Sequence, residues 1–423
     1  MNRLPSFFGA GCLLALGLLG KSLPAQVTEE APNIYVDCFW CDEDFIQIEI
    51  PYVNYVRDRY DADIHVLITT QGTGSGGREY TLAFLGRNVF ETISDTLVVT
   101  ADETDSEDLI RQDLVRVLKL GLVPYLSRTP LAKNLSVSFI EDSEQPRVAV
   151  QDKWKSWVFS VRLRSNLNGE QLYKSTYLSG SLSARRVTED WKISVSASGS
   201  YDEDTFTFDD QDFSSISRSN SVNGSIIMSL TDHWSVGLWG FAYSSTYDNI
   251  DYALSVLPGI EYNYFPYSES TRRQLRFGYK VTPIFADYTE ETIYLKTHER
   301  LTDQSLSLTL DLIQPWGSVN TSLTGSHYLH DLTKNRVRLF TGVSLKLIKG
   351  LSLNLYGNVS MIRDQLSLPR GVATLEEVLL RRKQLETQYD YWGSVGFTYS
   401  FGSIYTHVVN PRFGGTGGRV FFF

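Results

Sequence analysis

Past its N-terminal stretch, the chain has no run of the ~18 consecutive apolar residues that a membrane helix needs. Helical membrane spans are therefore excluded for that part. Sulfur is scarce, with three Met and three Cys in 423 residues. The six His are scattered, and no motif calls for a cofactor. Positive charge is also short: 39 Lys and Arg against 49 Asp and Glu leave a net charge of −10. That balance argues against nucleic acid as a partner. What is abundant is Tyr (24) and Phe (22), at an ordinary hydrophobic content of 42%. Soluble β-proteins have this composition. Membrane barrels have it too, because half of each barrel strand faces a polar lumen.

The N-terminus reads as a secretory signal peptide over residues 1–25. Arg3 gives a small positive region, Phe7 to Leu19 is apolar, and "SLPAQ" offers a cleavage site after Ala25. Cys12 lies inside the apolar stretch. Gly9 stands where a lipoprotein signal wants Leu, so Cys12 is read as an ordinary residue of the discarded peptide.

The remaining chain has two parts with a seam near residue 150. Residues 26–150 read as a small α/β unit. "NIYVDCFW" is a strand entering a Cys-x-x-Cys. A helix follows, with Asp42 as N-cap and Phe45, Ile48, Val53 and Val56 near helical spacing, bent at Pro51. "ADIHVLITTQ" and "REYTLAFLG" are strands around the turn "GTGSGG", and "DTLVVTAD" is another. The clearest helix starts at "TDSEDLIRQ". Thr104 and Glu107 form a capping box, Ile110, Leu114, Val117 and Leu118 share a face, and Pro124 helps stop it.

From Trp157 the period changes to two. "WVFSVRLRS" sets Trp157, Phe159, Val161 and Leu163 against Ser160, Arg162 and Arg164. "WKISVSASGS" and "LSLNLYGNVSM" repeat the pattern. About twelve such segments follow one another, an even number in the bacterial barrel range. Joins alternate in length. "RRVTEDW", "LTDHW", "PYSESTRRQ", "QPWGS" and "LIKGL" are short. "NLNGEQLYK", 201–218, "STYDNIDY", 287–304, "YLHDLTKN" and 364–389 are long. Short periplasmic turns and long outer loops are the barrel habit, and an even strand count puts both barrel ends in the periplasm. Trp157, Trp191, Trp234 and Trp316 fall at the short-turn end, where an aromatic girdle belongs. A β-sandwich would prefer shorter strands and more even loops. The expected fold class is an all-β transmembrane barrel of about 12 antiparallel strands over residues 151–403. It is preceded by the α/β periplasmic domain and followed by a tail, 404–423. The last strand, "YDYWGSVGFTYSFGS", turns Val395, Phe397, Tyr399 and Phe401 toward lipid.

"DADIHVLITTQGTGSGGREYTLAFLG", "LVRVLKLGLVPYL" and "GFTYSFGSIYTHVVNPRFG" resemble a family of outer-membrane β-barrel proteins of Bacteroidota type with an N-terminal periplasmic α/β domain. The resemblance implies location in the outer membrane and this architecture. It carries over no functional residues.

Cys38 and Cys41 admit three chemistries. An oxidising compartment favours a disulfide staple. A redox centre needs a lowered thiol pKa, which Asp37, Asp42, Glu43 and Asp44 oppose. A zinc knuckle wants two more soft ligands, and only scattered His remain. The staple is the expected state. "TTQGTGSGGREY" has the glycine of a phosphate cradle, but it lacks the Gly-Lys-Ser/Thr ending and joins two strands, so it reads as a hairpin turn. His327, His330 and Asp331 form half a metal site without a fourth ligand and read as a solvated loop. A membrane-face hydrolase would need Ser, His and an orienting group. His327 is near a strand end, and nothing nearby completes it.

Parity from the apolar face points nine cations inward: Arg162, Arg164, Arg185, Lys192, Arg276, Lys280, Arg336, Arg338 and Lys346. Glu261 and Asp311 oppose them. Such a lumen is filled by paired charges, or is a basic pore for anions, or receives an acidic plug. The plug would be the 364–389 loop, with Glu376, Glu377 and Glu386, or the acidic N-terminal domain. Leu375, Val378, Leu379 and Leu385 would let that loop cover the pore mouth; the alternative is a surface loop. Three functions are carried forward: a narrow or gated channel for small anions, a membrane anchor whose periplasmic domain binds a protein partner, and an outer-membrane hydrolase. Outer-membrane lipid is the expected surrounding in each.

Overall fold

A computed structural model describes residues 30–38, 40–74, 76–138, 153–208, 211–371 and 385–405. The signal-peptide reading, the Leu375–Leu379 part of the long loop and the tail from 406 lie outside the described residues.

The N-terminal unit is a five-stranded sheet with helices on one face. Its elements are β1 (Asn33–Asp37), α1 (Glu43–Glu49), β2 (Asn54–Tyr55), β3 (Ile64–Gly72), β4 (Arg78–Gly86), β5 (Ser94–Ala101) and α2 (Glu107–Leu126). The strand order is β2-β1-β3-β4-β5. β1 runs parallel to β2 and β3, and the other neighbours are antiparallel. Ile34, Val66, Leu82 and Phe84 meet Leu118, Leu122 and Tyr125 of α2 in a buried core. Gly121 allows α2 to close on the sheet, since a Cβ there would stand 2.0 Å from the Phe84 ring.

Three local expectations are corrected here. Asp42 caps α1 through Phe45 N at 3.0 Å, but the helix ends at Glu49. Pro51 has no N–H to continue it, so Val53 and Val56 leave the helix and Asn54–Tyr55 pair with β1. The cap of α2 is Ser106, which accepts from Leu109 N, rather than Thr104. A turn from Asp102 to Asp105 precedes it and carries Thr104. Pro124 sits inside the last turn, and the helix runs on to Leu126.

The second part is one sheet of twelve strands, each antiparallel to the next in sequence. They are β6 (Trp157–Gly169), β7 (Tyr173–Val187), β8 (Trp191–Phe208), β9 (Gln211–Ser229), β10 (Trp234–Ser245) and β11 (Ile250–Asn263). Then come β12 (Arg273–Tyr288), β13 (His298–Gln314), β14 (Gly317–Tyr328), β15 (Asp331–Ile348), β16 (Leu351–Ile362) and β17 (Tyr389–Tyr399). The fold is a β-barrel sheet preceded by a small α/β unit. Trp157, Trp191 and Trp234 open β6, β8 and β10, and Trp316 lies in the β13–β14 turn.

Several joins read as long are strand instead. β8 and β9 stay paired up to Phe208 and Gln211, so 201–218 is a hairpin, not a loop. β13 begins at His298, opposite Asp287. β14 and β15 are joined by Leu329 and His330 alone, so "YLHDLTKN" is a tight turn within a ladder. The reason is shared. Above the apolar band both strand faces are polar, so the alternation fades while the backbone ladder continues.

Paired residues traced from Val158 run through Arg185, Ser194, Ser225, Trp239 and Leu257. The row resumes through Thr282, Asp303 and Tyr328. It climbs from the short-turn end of β6 to the long-loop end of β14, the stagger a closing sheet requires. Among the described residues, β6 and β17 each have one strand neighbour and do not pair with each other. In hydrocarbon each unpaired N–H or C=O costs several kcal/mol. The two edges are therefore expected to pair in a bilayer. A strand tilt of ~35–45° brings Val161 nearest Phe397. Cysteine at Val161 should cross-link in vesicles to cysteine at Phe397, with Val395 and Tyr399 as the flanking positions. Absence of a cross-link at all three would contradict closure.

Candidate functional site

The register sorts the twelve strands into two faces. One face is apolar and exposed on every strand. A row across it reads Phe277, Leu308, Leu323, Leu339, Val359 and Tyr391. A band of this extent marks an interaction surface, not a water-facing wall. The other face is polar. On β7 to β9 it is a hydroxyl wall, with Ser183 beside Ser196, Ser181 beside Ser198, and Ser198 beside Ser221.

All eleven residues expected in the lumen fall on that polar face. Arg162 and Arg164 stand opposite Ser181 and Ser179, and Arg185 opposite Ser194. Lys192 opposes Val187 and Ile227. Arg276 opposes Thr309 and Lys280 opposes Ser305. Arg336, Arg338 and Lys346 oppose Ile362, Ser360 and Ser352. Glu261 opposes Gly278, and Asp311 opposes Asn320. Arg276 pairs with Asp311 at 2.8 Å. Glu261 accepts from Tyr267 Oη at 3.2 Å. Lys280 Nζ lies 4.1 Å from the centre of the Trp239 ring. Gly237 and Gly259 make room for that ring: a Cβ on either would come within 3.0 Å of it.

The same face holds acids that the sequence reading passed over. Asp202 and Asp204 lie in register with Ser217 and Ser215, Asp303 with Thr282, and Asp390 with Ser360. Glu299 opposes Ala286. All belong to the long-loop half. Arg336 and Arg338 lie in that half too, whereas Arg162, Arg164, Arg185, Lys192, Arg276, Lys280 and Lys346 belong to the short-turn half or the strand centre, where Glu261 and Asp311 are the acids noted above. The inner face is therefore graded in charge along the strands. Asp202, Asp204, Glu299 and Asp303 sat in segments read as loops, and Asp390 lies at the start of the segment read as the last strand.

The long-loop end is crossed by the chain itself. After β16, residues 363–371 reach over to the β10–β11 and β12–β13 joins. Ile293 N donates to Leu368 O at 2.8 Å, Asn249 Nδ2 to Ser367 O at 2.9 Å, and Arg370 pairs with Glu291 at 2.7 Å. Asp364 pairs with Arg336 at 2.8 Å. Leu366 and Leu368 are buried. The described residues 363–371 thus lie across the long-loop end of the sheet; of the four apolar residues expected to cover a pore mouth only Leu385 is described, and it is exposed.

The N-terminal unit meets the opposite end. Its helices pack on one face of the sheet. His65, Leu67, Thr69 and Ala83 of the other face are buried as well. That unit touches four points around the short turns. A Cβ on Gly74 would stand 2.4 Å from Val187 Cβ. Ser270 Oγ lies 3.3 Å from Gln71 Oε1. Lys349 pairs with Asp61, and Gly350 N donates to Asp58 Oδ2 at 2.6 Å. Arg57 N donates to Ile404 O at 2.9 Å, beyond β17. At the centre, Lys346 Nζ donates to Asp37 Oδ2 at 2.9 Å and to Tyr35 Oη at 2.5 Å. Asp37 Oδ2 also lies 3.1 Å from His65 Nε2. Burial pushes the Asp37 carboxyl up, but the hydrogen bond from His65 and the charge and hydrogen bond of Lys346 outweigh it. The net result holds Asp37 below its ordinary value of 3.8. Burial, with Asp37 beside it, pushes the Tyr35 phenol up.

Cys38 and Cys41 form a disulfide, with Cα atoms 5.5 Å apart. It ties the end of β1 to the entrance of α1. "GTGSGG" is the β3–β4 hairpin turn, closed by Thr73 N to Gly77 O at 3.0 Å. His327 points to the apolar side. Its hydrogen-bond partners are Gln304 and Tyr328 O, with no serine hydroxyl among them. Among the described residues no group of three metal-ligating side chains converges.

No protein-family model matches the chain, and no curated protein matches it. Among solved structures it is similar to the NanC porin in a rhombohedral crystal form, at 10% identity and a TM-score of 0.28. That match covers 57% of this chain and 100% of the porin. It is also similar to the beta domain of the Bordetella autotransporter Brka, at 12% identity and a TM-score of 0.25, covering 58% of this chain and 98% of that one. A likeness at this level assigns no activity.

Proposed function

We propose that this chain is an outer-membrane β-barrel that passes small anionic solutes through a narrow lumen, gated at the periplasmic end by its own N-terminal unit. The observation that carries the reading is the set of nine cations on one sheet face, with the excess toward the short turns. A dry wall behind such cations strengthens their pull on an anion. The continuous apolar outer face supports a lipid surrounding. The signal-peptide reading of residues 1–25 and the even strand count support a periplasmic N-terminal unit.

A second reading has its own support. Both ends are covered by the chain, as expected of a closed anchor whose N-terminal unit holds a protein partner. We assign no catalysis, since His327 lacks a serine partner.

Planar-bilayer conductance of the refolded mature chain, with and without residues 26–150, separates the two. Anion-selective steps that grow when the N-terminal unit is removed are the expected result. Silence from both forms, each shown to be folded by heat-modifiable gel mobility, would leave the anchor.

A further inference from the structure

Lys346 belongs to the barrel, yet its charge partner belongs to the N-terminal unit. Asp37 and Lys346 are 309 residues apart in the chain and form the central contact of the docked unit. Their side chains are only 22% and 28% exposed. A charge so enclosed needs a counter-charge, and removing its partner is costly.

The pair borders a cavity of about 680 Å³ between the two parts of the molecule. Besides Gln314 and Gly317, which flank the β13–β14 turn, its barrel side is lined by Ile313, Ser318, Ser344, Lys346 and Tyr356. The register puts all five on the polar inner face. The cavity is therefore the short-turn end of the lumen, roofed by β1. Arg57 of the N-terminal unit lines the same space, its guanidinium donating to Phe401 O at 3.1 Å. Two acids also border it: Asp37, engaged with Lys346 and His65, and Glu43.

We propose that Lys346, at the mouth of this cavity, is an anion site in which one solute carboxylate or phosphate group displaces Asp37 as its counter-ion. Exchange of counter-ions unseats the N-terminal unit. The docked state satisfies Lys346 internally. In the undocked state Lys346 faces the lumen and takes its counter-charge from the solute. By linkage, the anion favours undocking by the same factor that undocking favours the anion. The site rests on the passage reading and adds to it a trigger: the cargo class opens its own gate.

The test is a docking sensor in the full mature chain. Gln71→Cys and Ser270→Cys replace side chains in contact across the interface. Cys38 and Cys41 are already joined, so only the sensor pair offers thiols. Oxidative cross-linking is followed in detergent with sodium acetate or sodium phosphate as the probe. Ionic strength is held constant with a bulky sulfonate too large for the cavity. The expected result is about a tenfold slower cross-linking at saturating probe, a typical coupling between two sites. Lys346→Gln should abolish the dependence, and Lys346→Arg should retain it. A rate that ignores acetate and phosphate overturns the proposal. So does equal slowing by the bulky sulfonate, or equal slowing in Lys346→Gln. Conductance of the same preparation is read in parallel. Anion steps with probe-independent cross-linking would refute the exchange alone. Probe-dependent cross-linking without conductance would refute passage and leave the anion site standing.

Discussion

Leu308→Arg is expected to cost about 2–4 kcal/mol of folding stability, while Ser307→Arg, one residue away, should cost far less. Leu308 sits near the middle of β13, between Phe277 and Leu323, and all three are exposed apolar side chains. If that face meets hydrocarbon, an arginine there must be hydrated by distorting the bilayer or by reaching for the interface. Ser307 faces the other way, toward Gly278 and Thr324 on the polar wall, where a guanidinium keeps water and neighbours. The comparison holds strand, depth and side chain nearly constant and changes only the face. Denaturant unfolding in lipid vesicles, followed by heat-modifiable mobility, gives both values. Equal losses would mean that the apolar face is not the lipid face, and the barrel assignment would fall with it.

The twelve strands were legible because a barrel wall has two solvents. In a membrane barrel, lipid on one side and a polar lumen on the other impose a period of two, the pattern seen from Trp157 to Leu163. The signal fails where that contrast ends. Asp202, Asp204, Glu299 and Asp303 lie in the long-loop half, where strands extend past the apolar band and both faces turn polar. There the backbone still pairs, but the side chains no longer say so. The lumen cations followed from the same period, since arginine on an apolar-polar alternation has only one side to take. Their partners did not follow. Asp37 looked like one of several acids crowding Cys38, and nothing local links it to a lysine on β15. The cover formed by residues 363–371 was hidden for a similar reason. Its contacts are backbone bonds to distant joins, such as Ile293 N to Leu368 O, which any residue types could make. The displaced cap at Ser106 is a smaller case. Thr104 and Ser106 are both competent caps, and the Asp102–Asp105 turn decided between them.

Asp37→Leu is expected to shift the docking equilibrium of the N-terminal unit by about a hundredfold, from a loss of about 3 kcal/mol. The substitution leaves Lys346 at the closed mouth without a carboxylate and takes the acceptor from His65. Lys346→Leu alone strands Asp37 in the same way, although His65 still reaches it. The exchange Asp37→Lys with Lys346→Asp restores one pair of opposite sign. It should recover part of the loss and not all of it, because the new lysine then faces His65. If the double variant docks no better than the worse single one, the pair does not hold the unit. The pH dependence has a definite sign. The Asp37 carboxyl is held below its ordinary value of 3.8 when docked, so its contribution is full above that value. It is lost as pH falls through the lowered one. Docking should therefore stay level from about pH 8 to pH 5 and weaken only under stronger acid. Tyr35, Asp58, His65 and Lys346 surround Asp37, and Glu43 and Arg57 line the same cavity. A docking midpoint near neutrality, read by cross-linking at Gln71 and Ser270, would move control from Asp37 to another of these groups. Loss of docking in acid that Asp37→Leu abolishes would fix the carboxylate as the element that holds the N-terminal unit on the barrel.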